Sequence, residues 1–201
     1  MHFPFMLSRL TGFGDFALLS LVGLFVTGWL LSSGHRRLTA IWLAALCGCA
    51  ALIALLKIYF NGCPLPELGM RSPSGHAGFS TFMYGGIALL AQSHRPCWQR
   101  GLISVAAGLW IAAIGYSRVV VRAHTGAEVV LGIAIGVTML CAFALASRGQ
   151  GSSRFPLAAV IAGAVLGAAL FHSLDWHPTF ERFLAQLSRE YASLLPPCSL
   201  P

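Results

Sequence analysis

Hydrophobic residues along this chain gather into long runs separated by short polar breaks, and those runs predict the fold. The first, Phe16–Leu31, follows Gly14 and Asp15, and the second, Leu38–Leu56, is uncharged for 19 residues and ends at Lys57. A bilayer core about 30 Å thick is crossed by roughly 20 apolar helical residues, so both runs read as spans. Four more are expected: His76 to about Gln92, Leu102–Val120, Ala123–Ala146 and Phe155–Leu174. Asp15 is placed to cap the first helix, where a carboxylate accepts from unpaired main-chain N–H groups. Gly132/Gly136 and Gly163/Gly167 are small-xxx-small pairs that let membrane helices approach closely. Residues 1–12 read as a short aromatic lead-in at the interface.

Beyond residue 178 the period changes character. Phe180, Phe183, Leu184, Leu187, Tyr191, Leu194 and Leu195 fall on one helical stripe, with Glu181, Arg182, Arg189 and Glu190 opposite. Such a stripe predicts an amphipathic helix lying on the membrane surface, over about 178–195. The expected architecture is all-α: a polytopic membrane protein with six transmembrane helices in one bundle, plus that surface helix. Residues 1–201 form a single domain.

Composition agrees. Apolar residues make up 57% of the chain and charged residues only 9%, against about 25% charged in soluble domains. The net charge of +7 sits in short clusters between apolar runs, which argues against a nucleic-acid partner. Arg36 and Arg37, Arg95 and Arg100, and Arg148 and Arg154 occupy the breaks on one side, and the positive-inside rule makes that side cytoplasmic. The Lys57–His76 loop and the Ser117–His124 corner then face outward. No basic segment precedes the first run, so no cleavable signal peptide is expected. The six cysteines lack metal-type spacing. Cys63 and Cys198 alone fall on the outward face, a pair placed for a disulfide in an oxidising compartment.

Candidate chemistry concentrates between the end of the second run and the start of the fifth. From Ser117 to Glu128 the chain reads Ser-Arg-Val-Val-Val-Arg-Ala-His-Thr-Gly-Ala-Glu, with two arginines, a histidine and a carboxylate between apolar segments. Ionisable groups at a membrane span mark function, because desolvating them is costly unless they are paired or wet. A helix from Ala123 would put His124 and Glu128 on one face, the carboxylate fixing one ring nitrogen and leaving the other basic. Ser74 and Gly75 suit the start of the third helix, where free N–H groups bind anions. Lys57, the single lysine against twelve arginines, ends the second run; alone, it would read as a snorkelling anchor.

Together these pieces resemble the type 2 phosphatidic acid phosphatase superfamily, which also holds the vanadate-dependent haloperoxidases. Pro73-Ser74-Gly75-His76 matches one of its motifs in full, and Ser117-Arg118 followed by His124 matches another in type and spacing. Glu128 stands where the family usually has Asp. Lys57 matches the start of the first motif, but Pro64 occupies the position of its arginine. The resemblance covers about residues 57–128 and implies a lipid phosphatase, with an active site facing the periplasm or exterior of a bacterial inner membrane.

It implies His124 as the nucleophile forming a phosphohistidine, Glu128 as its partner, and His76 as general acid and then base. Lys57, Arg118, Ser74 and Gly75 would hold phosphate, with Ser117 and Arg122 as further candidates. Arg71 is expected to supply the charge missing at Pro64. No cofactor is implied. A metal at His76, His124 and Glu128 would be repelled by Lys57, Arg71, Arg118 and Arg122. The expected partners are membrane lipids and a lipid phosphate within the bilayer. A lipid phosphotransferase using the same histidine, and a non-catalytic lipid-binding or transport protein, are the alternatives.

Overall fold

The computed structural model describes residues 10–63, 67, 69–150, 154–173 and 186–187. Apart from Gln186 and Leu187, which are helical, the expected surface helix lies outside the described residues, as do Pro64 and Cys198. Among the described residues six long helices follow one another: α1 (Phe16–Ser32), α2 (Arg36–Gly62), α3 (Gly75–Ala91), α4 (Cys97–Val120), α5 (Gly126–Ala146) and α6 (Leu157–Ser173).

Each boundary has a local cause. Asp15 accepts from the N–H groups of Ala17 and Leu18 at 2.8 and 3.4 Å, so it caps α1 as its position suggested. Gly34, at φ +80°, ends α1, and the N–H of His35 closes back on the Leu30 carbonyl. Ser74 caps α3 and Thr125 caps α5.

Three of these helices, α2, α4 and α5, are long and apolar enough to cross a membrane. The six expected spans therefore reduce to three by that standard. Helices α1, α3 and α6 have 17 residues each; at 1.5 Å per residue they reach about 26 Å, short of the bilayer core. For α3 the reason lies in its position. It packs against α1, α2, α4 and α5, and 13 of its residues are buried, so protein rather than lipid surrounds it. Helix α6 packs on α1.

The core centres on Trp42 of α2, fully buried with Phe82 of α3 and Phe143 of α5. The Trp42 ring lies 5.3 Å from Phe82 and 5.4 Å from Phe143, and its indole N–H reaches the Gly23 carbonyl of α1 at 3.4 Å. Outside, the bundle is apolar. Leu24, Leu102, Leu109, Val130 and Leu166 are exposed on α1, α4, α5 and α6. Side chains of that kind in such number suit lipid as the surrounding solvent, and this is an integral membrane protein.

Glycines set the closest approach in the bundle. A Cβ on Gly132 of α5 would collide with the Ser74 carbonyl, and one on Gly136 with the carbonyl of Gly78 and with Thr81. These two glycines behave as expected from their spacing. Gly167 packs against Leu18, but nothing lies near Gly163, so the second small-residue pair is only half used.

Candidate active site

The site is assembled where the C-terminus of α4, the N-terminus of α5, the N-terminus of α3 and the end of α2 meet. Helix α4 stops in a tight turn. The N–H of Arg122 bonds to the Val119 carbonyl at 3.0 Å, and that of Ala123 to the Arg118 carbonyl at 3.0 Å. This is a Schellman closure, with Arg122 at φ +55° in the left-handed place where glycine is usual. The N–H of His124 also donates to the Arg118 carbonyl, at 3.2 Å, which fixes the histidine just beyond the turn.

Helix α5 then begins at Gly126, later than the expected Ala123. Thr125 and Glu128 form a capping box: Thr125 Oγ1 accepts from the Glu128 N–H at 3.3 Å, and Glu128 Oε2 accepts from the Thr125 N–H at 3.0 Å. His124 and Glu128 do not share a helix. They nevertheless meet, His124 Nδ1 lying 2.9 Å from Glu128 Oε2. The Thr-x-x-Glu spacing was the sequence signal for this start.

The other carboxylate oxygen turns to a different segment. Glu128 Oε1 accepts from the N–H of Arg71 at 2.7 Å and of Ser72 at 3.0 Å. Its main-chain carbonyl accepts from the Ser74 N–H at 3.0 Å. Glu128 is buried, and all four contacts to its carboxylate come from N–H donors. The residue thus ties the Arg71–Ser74 loop, the start of α5 and the histidine into one unit. Its longer side chain, compared with aspartate, suits that double reach.

With Glu128 accepting at Nδ1, the proton of a neutral His124 resides there and Nε2 carries the lone pair. The imidazole is held below its ordinary pKa. Burial is the leading cause, the Glu128 hydrogen bond opposes it, and the positive charges of Arg118 and Lys57 add to the depression.

Lys57 is buried at the end of α2, which separates it from a lipid anchor. A methyl group on Gly75 would sit 3.7 Å from its Nζ. Lys57 thus abuts the first residue of α3, and His76 is the second. Ser74 caps that helix, its Oγ 3.4 Å from the Ala77 N. Arg118 is buried as well. Ser117 is buried and donates to the Ile114 carbonyl at 2.7 Å while lying 2.7 Å from Thr11 Oγ1, so its hydroxyl serves the packing of the N-terminal segment. Arg122 is exposed. Arg71 is exposed too, and its contact with Glu128 runs through its main chain.

Sequence reasoning gave no packing role to the segment Thr11–Gly14, whose first two residues close the expected interfacial lead-in of residues 1–12. It inserts beside α3 and α4. Tyr84 donates to the Phe13 carbonyl at 2.8 Å, the Phe13 ring lies edge-on to Trp110 at 5.3 Å, and a Cβ on Gly14 would stand 3.3 Å from the His76 Cβ. Cys63 is buried and disulfide-bonded, whereas Cys47, Cys49, Cys97 and Cys141 are free. Its expected partner, Cys198, lies outside the described residues.

No curated protein and no solved structure matches the chain. The family model described as the PAP2 superfamily matches residues 51–151, a stretch that holds Lys57, the α3 start and the whole α4–α5 corner. On a match over half of its length, the chain belongs to the PAP2 superfamily.

Proposed function

We propose that the protein is a metal-independent lipid phosphatase that works through a phosphohistidine on His124. One observation carries this reading: a depressed, neutral imidazole whose Nδ1 is engaged by Glu128, leaving Nε2 as the nucleophilic nitrogen. Nε2 would attack phosphorus, forming the N–P bond as the P–O bond to the lipid alkoxide breaks. His76 would give the leaving oxygen its proton, then take one from the water that cleaves the N–P bond and releases phosphate. Lys57, Arg118 and the main chain at Ser74–Gly75 would offset charge on the equatorial oxygens, which dominates the cost of phosphoryl transfer.

The exposed apolar flanks support a substrate whose chain stays in lipid while its headgroup enters the site. A disulfide at Cys63 fits a site facing an oxidising compartment, as the periplasm is. The test is a phosphate-release panel on purified protein with phosphatidate, phosphatidylglycerol phosphate, undecaprenyl diphosphate and a lipid A phosphate, each in excess chelator. Release from at least one, abolished in a folded His124→Ala variant, is expected. Turnover by that variant above a tenth of the parent rate would reject the mechanism. Transfer of phosphate to an added acceptor lipid in place of release would make the enzyme a phosphotransferase.

A further inference from the structure

At the other end of α3, one helix length or about 25 Å from the Ser74 cap, lies a cavity of about 320 Å³. Ala91 and Phe155 give it an apolar floor, both buried, while Ser93, Arg95, Gln99 and Arg154 supply polar walls, with His94 beside them. The volume falls at the small end of ligand pockets, the size of a headgroup. Arg95 is held in place, its Nε donating to the Ala91 carbonyl at 2.8 Å. That contact uses one of five guanidinium donors. Among the described residues, no carboxylate lines the cavity.

The charge at this end is one-sided. Arg36, Arg37, Arg95, Arg100, Arg148 and Arg154 all lie here, whereas every described acid, Asp15, Glu67 and Glu128, belongs to the end that carries His124. Two guanidiniums bordering one cavity repel each other until an anion comes between them. A tetrahedral oxyanion suits them, because arginine binds two oxygens at once and Gln99 brings a neutral donor. The depth in the membrane points to the anion's source. Trp98, beside Gln99, is 66% exposed, as a tryptophan at headgroup level is expected to be. Basic pockets between helices at that level are suited to anionic headgroups.

We propose that this cavity is a second anion site, separate from the His124 centre, which takes the phosphate group of an anionic phospholipid in the leaflet at that end. The proposal does not depend on the catalytic reading above.

Thermal unfolding of the detergent-purified full chain tests it, with phosphatidylglycerol, phosphatidylcholine or inorganic phosphate added at equal phosphorus. A ligand bound only to the folded state raises Tm with its concentration. Phosphatidylglycerol should raise Tm in the parent and in Arg36→Gln/Arg37→Gln, which removes two charges at the same end outside the cavity. The shift should be lost in Arg95→Gln/Arg154→Gln. It should also be lost in Arg154→Glu alone, which keeps the Arg95–Ala91 contact. Phosphatidylcholine should shift none of them. Equal loss in the Arg36/Arg37 and Arg95/Arg154 variants would overturn the site in favour of diffuse surface charge. An equal shift with inorganic phosphate would overturn the lipid as its source.

Discussion

His124 Nδ1 and Glu128 Oε2 stand 2.9 Å apart although a helix cap separates them: His124 lies outside α5 and Glu128 in its first turn. The carboxylate that orients the imidazole is the same one that closes the capping box and receives two loop N–H groups. Orientation of the imidazole and folding of the loop are therefore one structural event.

Two substitutions at Glu128 should separate its tasks. Glu128→Gln presents an NH2 to at least one N–H donor, so a hydrogen bond is replaced by a clash of donors. We expect kcat to fall by a hundredfold or more, as when a triad carboxylate becomes an amide. Glu128→Asp keeps the charge but shortens the reach, so it should keep either the histidine or the Arg71–Ser72 contacts, with a drop in Tm. An aspartate variant with parental Tm and kcat would show that the double reach does not matter. Phosphate release and thermal unfolding are the measurements.

The pH dependence follows from the depressed His124. Burial and the charges of Arg118 and Lys57 lower its pKa, so the free base persists below the ordinary histidine value of 6.5. The acid limb of kcat/KM should lie below that value. Removing a cation, as in Arg118→Gln, should move the limb to higher pH. For stability the sign is set by the unfolded state, which binds the proton more readily. The His124 contribution is complete above the ordinary value and is lost as pH falls from there through the lower value of the folded state. A limb that stays put in Arg118→Gln would place the titration elsewhere.

The glycine contacts predict a contrast along the sequence. Gly132→Ala and Gly136→Ala drive a methyl group into the main chain of α3 and should each cost about 1–3 kcal/mol, as overpacking does. Gly163→Ala meets nothing and should leave Tm unchanged. Loss of stability at Gly163 equal to that at Gly132 would contradict the packing described.

Arg71 can be divided into main chain and side chain. Arg71→Ala retains the N–H to Glu128, so any loss of kcat reports the guanidinium. Arg71→Pro removes the N–H as well, and proline cannot replace it. We expect the proline variant to lose Tm and kcat together. A near-normal kcat for Arg71→Ala on a short-chain lipid phosphate would exclude the guanidinium from the phosphate cradle.

Much of this was legible in the chain. The apolar runs placed six helices close to their final bounds, and Pro73–His76, Arg118, His124 and Glu128 marked helix ends that the fold brings together. What escaped had physical reasons. The turn at Arg122 carries no glycine, so the apolar run alone puts the start of α5 at Ala123, and only the Thr125-x-x-Glu128 spacing marks the later start at Gly126. The bonds from Arg71 and Ser72 to Glu128 use main-chain N–H groups, which every residue but proline has, so no residue type reveals them. Phe13 and Gly14 reach His76 and Trp110 across a long stretch of chain, a pairing that no local period encodes.

The meeting of the Ser74 carbonyl with Gly132 leaves main chain against main chain, with no rotamer between them. Side chains adjust to a changed neighbour, whereas peptide units in two helices cannot. The interval between the segment carrying His76 and the one carrying Glu128 is therefore a property of backbone dimensions and is insulated from whatever presses on the bundle from outside. Tolerance is moved to the periphery. Leu109 and Val130, exposed on the flanks, can be exchanged as bilayer thickness or fluidity demands without retuning the chemistry.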